Sequence, residues 1–132
     1  MGNRAVITIK CNSTKKEDWQ SIYLHWNGGI NTVKPLLHVA KLYNIRCESS
    51  YGIARLCQII GNCLGGTLSL GVGSYKTLDT DNGDNGVYII ENWEIVAREF
   101  SQYAEPETND HFNFMVDEIR SKNDLFFGYK AS

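Results

Sequence analysis

What the chain lacks narrows its identity before any motif is read. No uninterrupted apolar run approaches the roughly 18–20 residues that a membrane span needs. After Met1-Gly2-Asn3-Arg4 the sequence enters a strand-like segment with no apolar leader core and no small-residue cleavage site. The expectation is a cytoplasmic protein, neither secreted nor inserted. Cys11, Cys47, Cys57 and Cys63 form no C-x-x-C pair, the spacing by which a four-thiolate zinc site usually shows itself. They read as reduced thiols packed as small apolar groups, with a disulfide or an unusual metal site as the other readings. The net charge of −2 is no footprint for coating nucleic acid. At 132 residues, 42% hydrophobic and 21% charged, the chain fits a single domain over 1–132.

The charge that is present is uneven. Met1 to Leu78 holds nine basic residues against Glu17, Asp18 and Glu48, a balance of +6. Asp79 to Ser132 holds twelve acids against Arg98, Arg120, Lys122 and Lys130, a balance of −8. Such asymmetry can steer a charged partner without bearing on fold.

Hydrophobic periodicity gives the element order. Ala5–Ile9 is rich in β-branched residues and predicts a first strand. Ser21–Trp26 predicts a second, paired with the first as a hairpin, with Ile22, Leu24 and Trp26 on one face and Tyr23 and His25 on the other. Asn27-Gly28-Gly29 stops it, the glycines permitting backbone angles other residues avoid. A helix is expected from Thr32, with Pro35 in its first turn and Val33, Leu36, Leu37 and Ala40 on its buried face. A second helix, capped by Ser49 or Ser50, buries Ile53, Leu56, Cys57, Ile60, Cys63 and Leu64 and ends at Gly65-Gly66. Thr67–Gly73 and Val87–Ile90 predict strands, and a turn at Glu91-Asn92 leads into a third over Trp93–Phe100, together a β-meander. A last helix begins between Pro106 and Asp110 and buries Phe112, Met115, Val116 and Ile119, with Leu125-Phe126-Phe127 pinning the tail to the core. The order ββααβββα predicts an α+β domain: a mostly antiparallel sheet of about five strands covered by three helices.

Candidate chemistry is sparse. His25-Trp26-Asn27-Gly28-Gly29 leads from a strand into a helix N-terminus, where backbone amides suit a phosphate or carboxylate and the aromatic residues suit a ring. It matches neither G-x-x-x-x-G-K-[ST] nor G-x-G-x-x-G, and a tight turn with Trp26 in the core explains the same residues. Asp79-Thr80-Asp81-Asn82-Gly83-Asp84-Asn85-Gly86 resembles a calcium loop in composition. The EF-hand frame fails, because Asp84 stands where the glycine belongs and Ile90 where the glutamate belongs. Structural Asn-Gly turns explain it, and no metal or other cofactor is expected. His25, His38 and His111 lie in no H-E-x-x-H signature, and Ser69 in no G-x-S-x-G elbow. Cys57 and Cys63 fall on a buried stripe, where thiols are usually inert. Three tryptophans and seven tyrosines read first as partly buried in sheet–helix packing, with an interaction surface as the other reading, since interfaces are enriched in both.

Three segments stand out together: Gly2-Asn3-Arg4-Ala5-Val6-Ile7, Ile22-Tyr23-Leu24-His25-Trp26-Asn27-Gly28-Gly29 and Asp84-Asn85-Gly86-Val87-Tyr88-Ile89-Ile90. In this order the set resembles small proteins encoded by phages, prophages and other mobile elements of bacteria. The resemblance spans residues 2–90 and supplies no catalytic residues. It implies a mobile-element protein in the bacterial cytoplasm, where compact proteins often inhibit host defence, CRISPR effectors included. The expected function is therefore an anti-CRISPR-like inhibitor that binds a bacterial defence protein without catalysis. Asp79, Asp81, Asp84, Glu91 and Glu94 are the acids expected to face a basic partner. The alternatives are a nucleotide-binding or sequestering protein using His25, Trp26, Asn27, Gly28 and Gly29, with homo-oligomers open, and a small enzyme whose site matches none of these patterns.

Overall fold

Strand alternation and helical stripes assemble into one sheet with helices on one face. The computed structural model describes residues 3–64, 70–102 and 109–128. Within them run β1 (Ala5–Ile9), β2 (Gln20–Leu24), α1 (Ile30–Leu42), α2 (Ser49–Cys63), β3 (Leu70–Ser74), β4 (Val87–Glu91), β5 (Glu94–Glu99) and α3 (Asn109–Asn123), with a single 3-10 turn at Lys16–Asp18. This is the α+β architecture and the ββααβββα order expected from the sequence.

The sheet order is β3-β2-β1-β4-β5. β1–β2, β2–β3 and β4–β5 are antiparallel, while β1–β4 is parallel. The expected meander is therefore wrong: β3 and β4 lie on opposite sides of the β1–β2 hairpin, and only β4–β5 is a hairpin within that region. The reason is the connection 75–86, which passes across the sheet face away from the helices. Leu78 and Tyr75 pack there with Val6, Val87, Ile89, Trp19 and Tyr23, and the Tyr75 hydroxyl donates to Glu99 on β5. Ala5, Ile7, Ile9, Ile22, Leu24, Tyr88 and Ile90 point to the other face, into the main core under α1, α2 and α3. All five residues of β1 are buried, as a central strand covered on both faces requires.

Several boundaries move. β2 stops at Leu24, so His25 and Trp26 are not strand residues, and Trp26 is 43% exposed rather than in the core. α1 starts at Ile30, two residues before Thr32, because the Gly29 carbonyl already accepts the amides of Thr32 and Val33 at 3.1 and 3.0 Å. Pro35 consequently sits in the second turn. Neither α1 nor α2 has a side-chain cap, and Glu48, not a serine, occupies the N-cap of α2. On α2, Ile53, Leu56 and Ile60 are buried as expected, Cys57, Cys63 and Leu64 are half-buried, and Ile59 is fully buried although the expected stripe omitted it. Gly65-Gly66 and the Thr67–Ser69 start of the expected strand lie outside the described residues. The β4–β5 turn is Asn92-Trp93, both at positive φ (54° and 61°), the pair a two-residue type I′ hairpin demands. Trp93 tolerates this unusual backbone because its indole is buried and its Nε1 donates to the Ile45 carbonyl at 2.7 Å. On α3, Val116 and Ile119 are buried and Phe112 and Met115 half-buried. The tail is less pinned than expected: Leu125 and Phe126 are exposed, and only Phe127 packs, stacked on Tyr43 at 4.8 Å.

Candidate functional site

The three distinctive sequence segments meet at one end of the sheet, where β1 and β4 begin and β2 ends. Antiparallel β1–β2 pairing sets Ala5 opposite Leu24, and parallel β1–β4 pairing sets Val6 beside Val87. The flanking residues are thereby brought together. The Asn3 amide donates to the His25 carbonyl at 3.1 Å, and the Gly28 amide returns to the Asn3 carbonyl at 2.8 Å. The Asn85 amide donates to the Arg4 carbonyl at 3.0 Å, and its side-chain Nδ2 donates to Asn3 Oδ1 at 2.6 Å. Tyr88, fully buried, donates its hydroxyl to the Gly28 carbonyl at 2.8 Å. The Arg98 guanidinium lies 4.0 Å above the Tyr88 ring and donates to the Asn85 carbonyl at 3.0 Å.

The junction explains its glycines differently from the sequence alone. It is Asn27, at φ 64°, that adopts the left-handed turn, which asparagine tolerates better than most residues. Gly28 is required for space: a Cβ there would fall 2.6 Å from both the Ala5 Cβ and the Asn3 carbonyl oxygen. Of the five residues expected to bind a ligand, Gly28 and Gly29 are buried and the Gly28 amide is already bonded. Trp26 and Asn27 are exposed and His25 is half-buried. The His25 and Trp26 rings meet edge-to-face at 4.8 Å, and His25 Nδ1 shares a 3.0 Å hydrogen bond with the Tyr23 hydroxyl.

The five expected acids do not form one face. Asp84 belongs to the junction, where Oδ2 accepts from Arg4 Nε at 2.8 Å and from the Arg4 amide at 3.1 Å. These hydrogen bonds hold its carboxyl below the usual carboxylate range and the guanidinium above its ordinary value. Burial raises the Tyr23 phenol; the Arg4 charge opposes the shift, and Asp79 and Asp84 add to it. Asp79 and Asp81 are exposed on the same loop. Glu91 and Glu94 sit at the far end of β4, roughly 15 Å away at the rise of a β-strand. There they pair with Lys10 at 3.6 Å and Lys41 at 3.0 Å.

The loop itself is braced from within by Asn82. Its Nδ2 donates to the carbonyls of Asp79 and Gly86 at 3.0 and 3.2 Å, and its Oδ1 accepts the amides of Asp84 and Gly86 at 3.2 and 3.0 Å. Those bonds close the turns that the Asn-Gly spacing predicts. Among the described residues, no three His, Cys, Asp or Glu side chains gather to hold a metal ion.

The remaining candidates lie elsewhere. His38 and His111 are exposed on α1 and α3. The four thiols are unpaired with one another. Burial pushes Cys47 and Cys57 up and Cys63 up to about 11, while hydrogen bonds from Ser13 and Thr14 lower Cys11. Ser69 lies outside the described residues. Sequence reasoning missed Arg4, Tyr23, Asn82 and Arg98 as parts of the junction; a lone arginine or asparagine gives no spacing signal, and each gains its place only from strand pairing.

No family model, curated protein or solved structure matches the chain. Among the described residues no helix is long and apolar enough to cross a membrane.

Proposed function

We propose that the protein acts by binding, as a mobile-element-encoded inhibitor of a bacterial defence protein such as a CRISPR effector. The observation that supports this reading is Trp26. A large indole is held 43% exposed beside His25 by a turn that the Asn3–His25 and Gly28–Asn3 hydrogen bonds make rigid. Binding energy concentrates on such aromatic anchors, and a surface ordered beforehand loses less entropy on docking. The Asn82-braced loop presents Asp79 and Asp81 next to the same junction, where they guide a basic partner into register. Glu91 and Glu94, at the opposite end of β4 and already paired with lysines, have no part in this surface. Asp84 serves as the brace that ties the loop to Arg4.

The test combines direct binding with a defence assay. Tagged protein is used to enrich partners from a bacterial lysate carrying CRISPR and other defence systems, and each enriched defence protein is then purified and its binding kinetics measured. Trp26→Ala is expected to speed dissociation at least tenfold. The double reversal Asp79→Lys with Asp81→Lys is expected to slow association and flatten its salt dependence. Defence inhibition unaltered by both variants, with no defence protein bound directly, overturns the reading.

A further inference from the structure

Asparagine is followed by glycine at Asn27-Gly28, Asn82-Gly83 and Asn85-Gly86. Such a pair is open to an internal reaction, because glycine has no side chain to shield its nitrogen and lets the backbone take the angles required. We propose that Asn27 is a site of spontaneous deamidation in the folded protein, and that the fold withholds Asn82 and Asn85 from the same reaction.

The step needs only water. A base takes the proton of the glycine amide, and that nitrogen attacks Cγ of the preceding asparagine. The new N–Cγ bond closes a succinimide ring as the Cγ–Nδ2 bond breaks and Nδ2 leaves as ammonia. Water then opens the ring at either carbonyl, giving aspartate or, where the main chain is rerouted through Cβ, isoaspartate. Nothing is oxidised or reduced, and one water is consumed for each ammonia released. The structure must supply a carboxamide free to turn towards the main chain and a glycine nitrogen free to give up its proton.

Asn82 fails the first requirement. It is buried, and its Nδ2 donates to the Asp79 and Gly86 carbonyls while its Oδ1 accepts the Asp84 and Gly86 amides. Asn85 fails both. It too is buried, its Nδ2 donates to Asn3 Oδ1 at 2.6 Å and to the Arg4 carbonyl at 3.1 Å, and the Gly86 amide is held by Asn82 Oδ1 at 3.0 Å. Asn27 meets the first requirement: it is exposed, and among the described residues no hydrogen bond holds its carboxamide. Its restraint lies on the second, since Gly28 is buried and its amide donates to the Asn3 carbonyl at 2.8 Å. Asn3 precedes β1, which begins at Ala5. A local opening there frees the nitrogen without unfolding the core. Isoaspartate at this position puts an extra main-chain atom before Gly28, where even a Cβ would fall 2.6 Å from Ala5, so the product disturbs the turn. The site itself does not depend on the binding role given to Trp26.

The experiment is peptide mapping by mass spectrometry, with aspartate and isoaspartate resolved, on the folded protein held in mildly alkaline buffer well below its melting temperature. The same chain unfolded in guanidinium chloride is followed alongside. In the folded protein, conversion at Asn27 is expected to run at least tenfold faster than at Asn82 or Asn85, whereas in the unfolded chain the three convert at similar rates. Amide hydrogen exchange is expected to be faster at Gly28 than at Ile7 in the middle of β1. Asn27→Gly, which keeps the left-handed turn and removes the carboxamide, is expected to stay folded and unmodified over the same period. An intact Asn27 after the unfolded chain has converted overturns the proposal. So does conversion of Asn82 or Asn85 as fast as Asn27 in the folded protein, or exchange at Gly28 as slow as at Ile7.

Discussion

Arg4 and Asp84, eighty positions apart in the chain, are joined twice: Arg4 donates to one Asp84 carboxylate oxygen from its guanidinium at 2.8 Å and from its backbone amide at 3.1 Å. The pair ties the start of β1 to the loop before β4, and with it two of the three distinctive sequence segments. A charged hydrogen bond of this kind is stronger than a neutral one, though its partial exposure to solvent limits its worth.

The Asp84 carboxyl is depressed in the folded state by its bonds to Arg4. For an acid held below its unfolded value, the stabilisation is fully present above the unfolded carboxylate range and is lost as pH falls through the lowered native value. Asp84→Asn is therefore expected to be less stable than the parent at pH 7, with the gap closing under acid. Urea unfolding of both proteins at pH 7 and pH 3 measures it. An equal gap at both values contradicts the assignment.

Gly28 and Gly61 make a matched pair. A Cβ at Gly28 collides with the Ala5 side chain and the Asn3 carbonyl, whereas one at Gly61 meets nothing within 4 Å. Gly28→Ala is expected to destabilise by about 1–3 kcal/mol through overpacking. Gly61→Ala, inside α2, is expected to stabilise by about 0.5–1 kcal/mol, as replacing a helical glycine does. Denaturant midpoints of the two variants, moving in opposite directions, check both.

Tyr75 binds Glu99 across the sheet face that lacks helices. Burial, the hydrogen bond to Glu99 and the carboxylate charge together push the phenol up to about 12. A phenol raised in this way binds its proton more tightly in the folded state. The stability it contributes is intact below pH 10 and declines as pH rises towards 12. Ultraviolet titration is expected to show a tyrosine with a midpoint near 12 that vanishes in Tyr75→Phe. A full complement of tyrosines titrating near 10 refutes the Tyr75–Glu99 contact.

The helical core has its own test. Leu56, Ile59 and Ile60 are all fully buried on α2, and truncating each to alanine is expected to cost about 2–5 kcal/mol. Ile59 decides most, because the sequence stripe leaves it out and the packing includes it. A loss below about 1 kcal/mol at Ile59, measured by chemical denaturation, rejects the packing of α2 between the sheet and α3.

A buried asparagine on α3 ties that helix to the backbone of α2. Asn123, with no exposed surface, donates to the carbonyls of Ile59 and Ile119 at 3.2 and 2.9 Å and accepts from Asn62 at 2.9 Å. The α2–α3 contact is thus specified by polar groups as well as by apolar ones. Asn123→Ala is expected to cost about 1–3 kcal/mol by leaving the Asn62 amide and the two carbonyls without this partner, and thermal unfolding measures it.

The sequence by itself determined the element types, their order and most of the inward faces. Those properties are local: a strand alternates every two residues and a helix returns every three or four, so Ile7, Leu36, Leu56 and Ile119 declare their faces within a short window. What it left open is everything that depends on pairing between distant segments. The meander failed because nothing local distinguishes β4 returning beside β3 from β4 crossing the sheet to run parallel to β1; that choice rests on how Leu78 and Tyr75 pack against Val6 and Glu99. Trp26 was misplaced because alternation continues on paper past Leu24, while Asn27 turns the backbone away. Asp79, Asp81, Asp84, Glu91 and Glu94 are close in the chain, yet β4 holds them apart as two groups. Arg4, His25 and Asp84 are far apart in the chain, and the β1–β2 and β1–β4 ladders bring them together. A side-chain period is fixed by backbone geometry within one element, but a site is made where elements meet, and only the tertiary fold decides which ones do.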